Sequence, residues 1–239
     1  MIDIAEWRSR RGVKAVAILV GTIVLWLGGP RVLRHVGFFR VRQIELVGVR
    51  YISPGAVIGA LALAPRASVF DGTDELTARL RALPGIADAR VVRRFPGALK
   101  VIVREVEPVA LVPGAAGGPL TVVDSGGHAL PYDPSRVGLD LPVAASLDSG
   151  LVAVLALVQS VDPALFETIS SARPLRGGSD VVLQMGAKRV LLGRDAGPDV
   201  IRALGRVTED LAARERPYAE LDARYAGQVV VRKSAGAGG

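Results

Sequence analysis

Residues 85–109 alternate between apolar and polar positions in two short runs, with a bend at Phe95-Pro96-Gly97 between them. This pattern predicts a β-hairpin with strands at Ala87–Arg94 and Leu99–Val106. The apolar face of the second strand consists of Leu99, Val101 and Val103, whereas Lys100 and Arg104 point to the opposite face. A hairpin with one apolar face needs a second layer to cover it.

One predicted strand and two predicted helices precede the hairpin and can supply that layer. Val41–Val47 alternates as a strand does. Ser53-Pro54 offers a helix N-cap followed by proline at the first helical position, and a second helix begins near Asp74 and stops at Pro84-Gly85. The apolar stripes of these helices are Val57, Ile58 and Leu61, then Leu76, Leu80 and Leu83. The order β-α-α-β-β predicts a compact two-layer α+β module.

From Ala110 onward, short apolar runs separated by turn residues predict a second domain that is mixed and mainly antiparallel β, with packing helices. Its predicted elements are a buried helix at Leu151–Val158, a meander of Ile169–Leu175, Val181–Met185 and Arg189–Leu192, a helix from Pro198 to about Arg214, and a last strand at Gln228–Lys233.

A membrane anchor is predicted near the N-terminus, because Ala15–Gly29 has fifteen residues without a charge. That run is shorter than the ~20 residues that usually cross a bilayer, although Lys14 and Arg31 could extend it by snorkelling. A cleaved signal peptide and a buried core helix are the alternatives. A single retained transmembrane helix over residues 14–33 is favoured, because small residues spaced for cleavage do not follow the run and basic residues lie at both ends.

The net charge of +7 is concentrated around the apolar run. The excess comes from eight residues, Arg8, Arg10, Arg11, Lys14, Arg31, Arg34, Arg40 and Arg42, against Asp3 and Glu6. The rest of the chain is almost balanced, which argues against nucleic-acid binding. With no cysteine, disulfides and Cys-ligated metal are excluded.

Nothing in the sequence forms a convincing catalytic or metal site, so an enzyme, a metal and a cofactor are not expected. Asp124-Ser125-Gly126 and Asp148-Ser149-Gly150 could be paired aspartates of a hydrolase. Turn chemistry for the first and helix capping for the second are better interpretations. The two histidines, His35 and His128, lie far apart in unrelated contexts.

The last predicted strand is the strongest functional candidate. It contains Val229-Val230-Val231 and follows Tyr218 and Tyr225. A terminal strand often forms a sheet edge, and free main-chain groups there can pair with a strand of another protein. Alternatively, Arg232 and Lys233 could blunt that edge against association.

Several short motifs together resemble the FtsQ/DivIB cell-division proteins. They follow the anchor in order: Phe38-Phe39-Arg40-Val41, Ile44-Glu45-Leu46-Val47-Gly48, Leu83-Pro84-Gly85-Ile86, Val92-Arg93-Arg94-Phe95-Pro96, Leu99-Lys100-Val101, Glu105…Pro108-Val109-Ala110, Leu120…Val123-Asp124, Leu141-Pro142 and Asp222-Ala223-Arg224-Tyr225. The resemblance implies a POTRA domain followed by the β domain of that family. The expected division is a cytoplasmic tail at 1–13, the anchor at 14–33, the POTRA domain at 38–109, the β domain at 110–233 and a disordered tail at 234–239.

The resemblance also implies a function and its partners. The chain would be a non-enzymatic, single-pass protein of the inner (cell) membrane at the division septum, with its N-terminus in the cytoplasm and its body outside. It would bind the coiled-coil proteins FtsB and FtsL, act indirectly on the FtsW/FtsI septal synthase, and help control septal peptidoglycan synthesis.

Two sets of site residues follow from the resemblance. A partner strand would be added at Tyr225, Gln228, Val229, Val230, Val231 and Arg232. Recruitment would use the POTRA hairpin at Asp88, Arg90, Val92, Arg93 and Arg94. The alternative is a POTRA-containing envelope protein that handles extended polypeptides in transport or secretion.

Overall fold

The computed structural model describes residue 19 and residues 36–114, 118–137, 139–176, 180–225 and 227–233. The predicted cytoplasmic tail, the anchor over 14–33 apart from Leu19, His35 and the tail from 234 lie outside the described residues. Among the residues described, no helix is both long enough and apolar enough to cross a bilayer. The chain divides into two compact units between Glu105 and Val106.

The first unit has the predicted β-α-α-β-β order. A short 3-10 helix at Gly37–Phe39 precedes its elements, which are β1 (Gln43–Val47), α1 (Pro54–Leu61), α2 (Thr73–Arg81), β2 (Ile86–Arg94) and β3 (Ala98–Glu105). The sheet order is β1-β3-β2, so β3 is central and pairs parallel with β1 and antiparallel with β2. Both outer strands, β1 and β2, therefore have one long side without a strand neighbour within this three-stranded sheet.

Local signals account for these elements. The Ser53 side chain accepts a hydrogen bond from the Ala56 N–H at 3.2 Å, and Pro54 occupies the first turn of α1. Alternation on β3 buries Leu99, Val101 and Val103, as predicted. The helical stripe of α1 is narrower than predicted, because Ile58 is 44% exposed.

The second unit contains twelve helices and strands among its described residues. They are β4 (Ala110–Gly114), β5 (Gly118–Val123), α3 (Pro134–Val137), β6 (Val143–Ala144), α4 (Ser149–Val161), α5 (Pro163–Glu167), β7 (Ser171–Pro174), β8 (Val181–Met185), β9 (Lys188–Leu192), α6 (Pro198–Ala213), β10 (Glu220–Asp222) and β11 (Val230–Arg232), together with a β-bridge between Val123 and Ala129. The eight strands form one sheet in the order β11-β10-β9-β8-β7-β6-β4-β5.

The sheet is mixed, as predicted. β7, β8 and β9 form the predicted antiparallel meander. β4 pairs parallel with β6, β6 with β7, and β10 with β9. The helices α4 and α6 contribute several large apolar side chains to the core, among them Leu151, Leu155, Ile201 and Leu204, which are at most 1% exposed.

Three details differ from the sequence-based expectation. β4 and β10 are strands that the pattern of apolar residues does not reveal, and α5 is an additional short helix. The terminal strand is shorter than predicted, since it spans Val230–Arg232 and leaves Gln228 and Val229 in the preceding loop. The Asp148 side chain, which accepts a hydrogen bond from the Leu151 N–H at 3.0 Å, caps α4.

Candidate partner-binding edge

The terminal strand β11 lies at one end of the eight-stranded sheet. It pairs antiparallel with β10, in the register Glu220↔Arg232, Leu221↔Val231 and Asp222↔Val230. β10 in turn pairs parallel with β9. Among the strands of the described chain, β11 therefore has a neighbour on one long side and none on the other.

The side chains of β11 are exposed, unlike those of its neighbour. Val230 is 38% exposed and Val231 is 40% exposed. Directly opposite residues of an antiparallel pair share a face, so Val231 extends the face on which Leu221 is completely buried. Two apolar side chains on a strand with an open edge offer contacts for a second strand on both faces of the sheet.

Charged groups of β10 hold β11 in place. The Glu220 side chain is 4% exposed and pairs with Arg189 of β9 and, at 3.3 Å, with Arg232 of β11. The fully buried Asp222 carboxylate lies 3.5 Å from the second Arg232 nitrogen. Buried carboxylates need such partners, because an unpaired charge away from water is strongly unfavourable.

Arg224 forms the tightest pair of this cluster. Its Nε and Nη2 donate to the two Asp222 carboxylate oxygens at 2.8 and 2.7 Å, and its Nη1 donates to Asp180 at 3.1 Å. The hydrogen bonds from Arg224 outweigh burial and hold the pKa of Asp222 below its ordinary value. The pKa of Arg224 is raised by Asp222 and then by Asp180. Hydrogen bonds from Arg224 therefore hold Asp180 and Asp222 together, at the strand that pairs with β11.

A loop carries the predicted aromatic contact. Tyr225 is 53% exposed, and the Arg224 guanidinium lies 5.9 Å from its ring centroid. The Gln228 N–H donates to the Tyr225 carbonyl at 3.2 Å, and Gly227 has φ +71°, a conformation that glycine adopts without steric cost. This loop leads from Tyr225 to the start of β11. Five of the six predicted edge residues are exposed, and Val229 is half-buried.

The predicted POTRA-hairpin residues lie on β2, which is an outer strand of the three-stranded sheet in the first unit. Asp88, Arg90, Val92, Arg93 and Arg94 are all exposed. Two of them have structural contacts: Asp88 pairs with Arg81 of α2 at 2.9 Å, and the Arg93 guanidinium donates to the carbonyls of Val69 and Asp71 at 2.7 and 3.1 Å. Arg90, Val92 and Arg94 are therefore the more available members of this set.

The two Asp-Ser-Gly triplets serve as turn and cap. Asp124 accepts hydrogen bonds from the N–H groups of Gly126 and His128 at 2.9 and 2.8 Å, as in an Asx turn. Burial acts to raise the pKa of Asp124, but these bonds outweigh it and the pKa is lowered. The pKa of Asp148 is also lowered, first by the Leu151 N–H. A proton-sharing pair requires one raised pKa, so these carboxylates do not have that chemistry.

Sequence reasoning missed the charged inner strand. Glu220 and Asp222 are expected at the surface from the sequence, because acidic residues are rarely buried without partners, yet both are buried. The available signal was the occurrence of charged residues at every second position, Glu220, Asp222 and Arg224, a short distance before Arg232. Within the described chain, no group of three or more His, Cys, Asp or Glu residues could hold a metal ion.

Comparison with known proteins agrees with the fold. The family model for the FtsQ-type POTRA domain matches residues 39–105. The chain is 28% identical to the Cell division protein FtsQ of Rhodothermus marinus over 92% of this chain and 84% of that protein. It is 26% identical to the one of Myxococcus fulvus over 85% of this chain and 77% of that protein. Identity with the one of Anaeromyxobacter reaches 36%, over 59% of this chain and 50% of that protein, so this match spans half of the relative's length.

Proposed function

We propose that the chain is a member of the FtsQ family of cell-division proteins, a proposal supported by the FtsQ-type POTRA match and by the relatives named Cell division protein FtsQ. The protein is a non-catalytic scaffold of the bacterial division machinery, inserted in the cell membrane through residues 14–33, with both described units outside the cytoplasm. It binds FtsB and FtsL, and through them it influences septal peptidoglycan synthesis by the FtsW/FtsI pair. Its β domain captures its partner by adding a strand to β11.

The observation that carries this proposal is the free long side of β11. In antiparallel pairs, successive residues point their main-chain groups alternately toward the neighbouring strand and away from it. One of Val230 and Val231 therefore directs its N–H and C=O outward, to where a partner strand would lie. β-Augmentation takes its affinity from such main-chain bonds and its specificity from flanking side chains.

The flanking side chains give each predicted residue a role. Val230 and Val231 contact alternate side chains of the incoming strand. Tyr225 covers one end of it with an apolar ring, and Gln228 and Val229 shape the approach. The Arg232 guanidinium pairs with Glu220 and Asp222 through its two terminal nitrogens. Its side chain is 56% exposed, so it can also form an ion pair with an acidic side chain of the partner.

The open edge of β2 supports a separate recruitment role for the POTRA domain. Arg90 and Val92 lie on a strand that has β3 on one side and no strand on the other. Recruitment and partner binding would then use different edges in different units. The alternative function, capture of extended polypeptides in general, also draws on this edge, so it needs to be distinguished by experiment.

Proline substitution tests the edge mechanism, because proline removes one N–H donor without adding charge. The full chain is reconstituted in nanodiscs, and its affinity for the extracytoplasmic C-terminal segment of FtsB from the same organism is measured for Val230→Pro and Val231→Pro. We expect the variant at the outward-facing position to lose about tenfold or more in affinity, from the missing bond and the clash of the ring. Its circular dichroism should be unchanged.

Leu120→Pro is the matched control, because Leu120 is an exposed residue of β5, the edge strand at the opposite end of the same sheet. It lies two residues before Val122, whose carbonyl accepts from Leu130 and so faces away from β4, and residues two apart direct their main-chain groups to the same side. That variant should bind FtsB as the unchanged chain does. Unaltered affinity in both β11 variants, with the fold intact, would refute strand addition at β11. Equal affinity for a scrambled peptide would instead favour the general polypeptide-handling function.

A further inference from the structure

Four phenylalanines form a continuous series on the first unit. The ring centroids of Phe38 and Phe39 are 5.2 Å apart, those of Phe39 and Phe70 are 5.0 Å apart, and those of Phe70 and Phe95 are 5.4 Å apart. The first two contacts are edge-to-face and the third is tilted, so the rings pack at the spacing of favourable aromatic pairs. The chain contains five phenylalanines in total, and four of them are in this cluster.

The two ends of the series are exposed. Phe38 is 58% exposed and Phe95 is 61% exposed, while Phe39 and Phe70 are half-buried. Val36, at the start of the described segment, is 41% exposed. Large aromatic rings gathered on a surface and left in water indicate a binding surface, because each ring buries a large apolar area when it is covered.

Backbone hydrogen bonds hold the three segments that carry the rings. The Val69 N–H donates to the Phe39 carbonyl at 3.0 Å, and the Arg42 N–H donates to the Gly97 carbonyl at 2.8 Å. The Arg42 guanidinium also donates to the Phe38 carbonyl at 2.8 Å. The segments that carry the rings are therefore held together, and Phe38, Phe39, Phe70 and Phe95 form one aromatic platform on the surface of the first unit.

The charge around the platform is positive. Residues 30–42 contain Arg31, Arg34, Arg40 and Arg42 and no Asp or Glu. Arg40 and Arg42 are exposed, and within the described chain neither forms an ion pair.

We propose that Phe38, Phe39, Phe70 and Phe95, with Arg40 and Arg42, form a platform that rests on the outer surface of the lipid bilayer. The rings enter the interfacial region and the guanidinium groups bind anionic phosphates of lipid headgroups. This inference rests on the proposed function, in which residues 14–33 cross the membrane. Aromatic and arginine side chains together are the usual composition of an interfacial contact.

Chain length supports the bilayer as the occupant. Six residues, 30–35, lie between Gly29, at the end of the apolar run, and Val36, so fully extended chain would span at most about 25 Å between them. The platform begins at that point, so a membrane that holds the apolar run is always within reach. The platform would fix the orientation of the POTRA domain relative to the membrane, and with it the orientation of the open β2 edge.

Site-specific labelling tests the contact directly, because the chain has no cysteine of its own. Phe95→Cys carries an environment-sensitive fluorophore, and Ile58→Cys, at an exposed apolar position on α1, is the matched control. The full chain is reconstituted in vesicles of phosphatidylcholine with phosphatidylglycerol, with and without doxyl-labelled lipid. We expect quenching at 95 to exceed quenching at 58 by about threefold, because interfacial groups lie roughly 5–10 Å into the headgroup region.

Two further variations separate the contributions. Arg40→Gln, or phosphatidylcholine alone, should reduce the difference between the two sites, since each basic residue near an anionic surface strengthens binding by roughly fivefold. Equal quenching at 95 and 58, in chain that resists carbonate extraction, would overturn the platform and leave the proposed scaffold function standing. Extraction of the chain by carbonate would overturn the anchor, and the platform with it. The proline variants of β11 report on partner binding independently of both.

Discussion

Glu105 links the end of β3 to the loop before α1, and its replacement should lower the stability of the first unit. One carboxylate oxygen accepts from the N–H groups of Arg50 at 3.0 Å and Tyr51 at 2.7 Å, and the other accepts from Ile52 at 2.9 Å. Three successive N–H groups pointing at one anion form a nest. These bonds join segments more than fifty residues apart, so they close the module rather than a local turn.

The cost of Glu105→Gln follows from the geometry. The amide keeps one acceptor oxygen and replaces the other with an NH2 group, which faces an N–H donor instead of accepting from it. A hydrogen bond to a charged group contributes about 1.5–3 kcal/mol. Since the site is partly exposed and water can compensate, we expect Glu105→Gln to lower the stability of the first unit by about 2 kcal/mol, and Glu105→Ala by about 3 kcal/mol.

Amide hydrogen exchange measures this effect best, because two units within one chain do not unfold in a single transition. The protection of Arg50, Tyr51 and Ile52 should fall by roughly thirtyfold in Glu105→Gln, which corresponds to the estimated 2 kcal/mol. Glu107→Gln is the control, since Glu107 is an exposed carboxylate two residues away. Protection that stays within about twofold of the unchanged chain in Glu105→Gln would show that the carboxylate bonds contribute little.

Backbone and capping substitutions give the remaining predictions. Gly48→Ala should destabilise the first unit by about 3 kcal/mol or more, because Gly48 has φ +83° and a Cβ there would collide with the Val103 carbonyl oxygen. Gly59→Ala lies inside α1 with nothing within 4 Å of the added Cβ, so it should stabilise the unit by about 0.5–1 kcal/mol. Thermal unfolding measures both effects. Asp148→Ala should cost about 1 kcal/mol through loss of the cap on the Leu151 N–H, and Asp148→Asn should cost less. Because that N–H and Arg194 lower the pKa of Asp148, its contribution is complete above the ordinary value of 3.8 and is lost as the pH falls below it; acid titration of Asp148→Asn should therefore show a shallower loss of stability.

The first unit could be predicted from sequence because its signals are local. The Ser53-Pro54 start of α1 and the alternation on β3 each involve a few neighbouring residues, and the structure confirms both. Ile58 was assigned to the buried stripe on helical spacing alone. Spacing identifies a face but not its width, and α1 presents too narrow a contact to cover three positions.

The second unit was harder because its pairings are distant in sequence. β4 pairs with β6 and β10 with β9, and both are parallel, so no hairpin turn announces them. β10 is especially obscure, because two of its three residues are acidic and buried. Their stability depends on Arg189, Arg224 and Arg232, which approach from other parts of the chain.

The same arginines explain how an exposed edge strand stays in register while remaining open. β11 is three residues long and all of them are exposed, so apolar burial contributes little to its attachment. Arg232 compensates by reaching two buried carboxylates on β10, and this fixes the register because a shift of one residue would turn it to the opposite face. Basic residues on an edge usually deter association. Here the charge of Arg232 is directed inward, toward acids of its own sheet, so the residue that appears in sequence to blunt the edge also holds the strand in place for a partner.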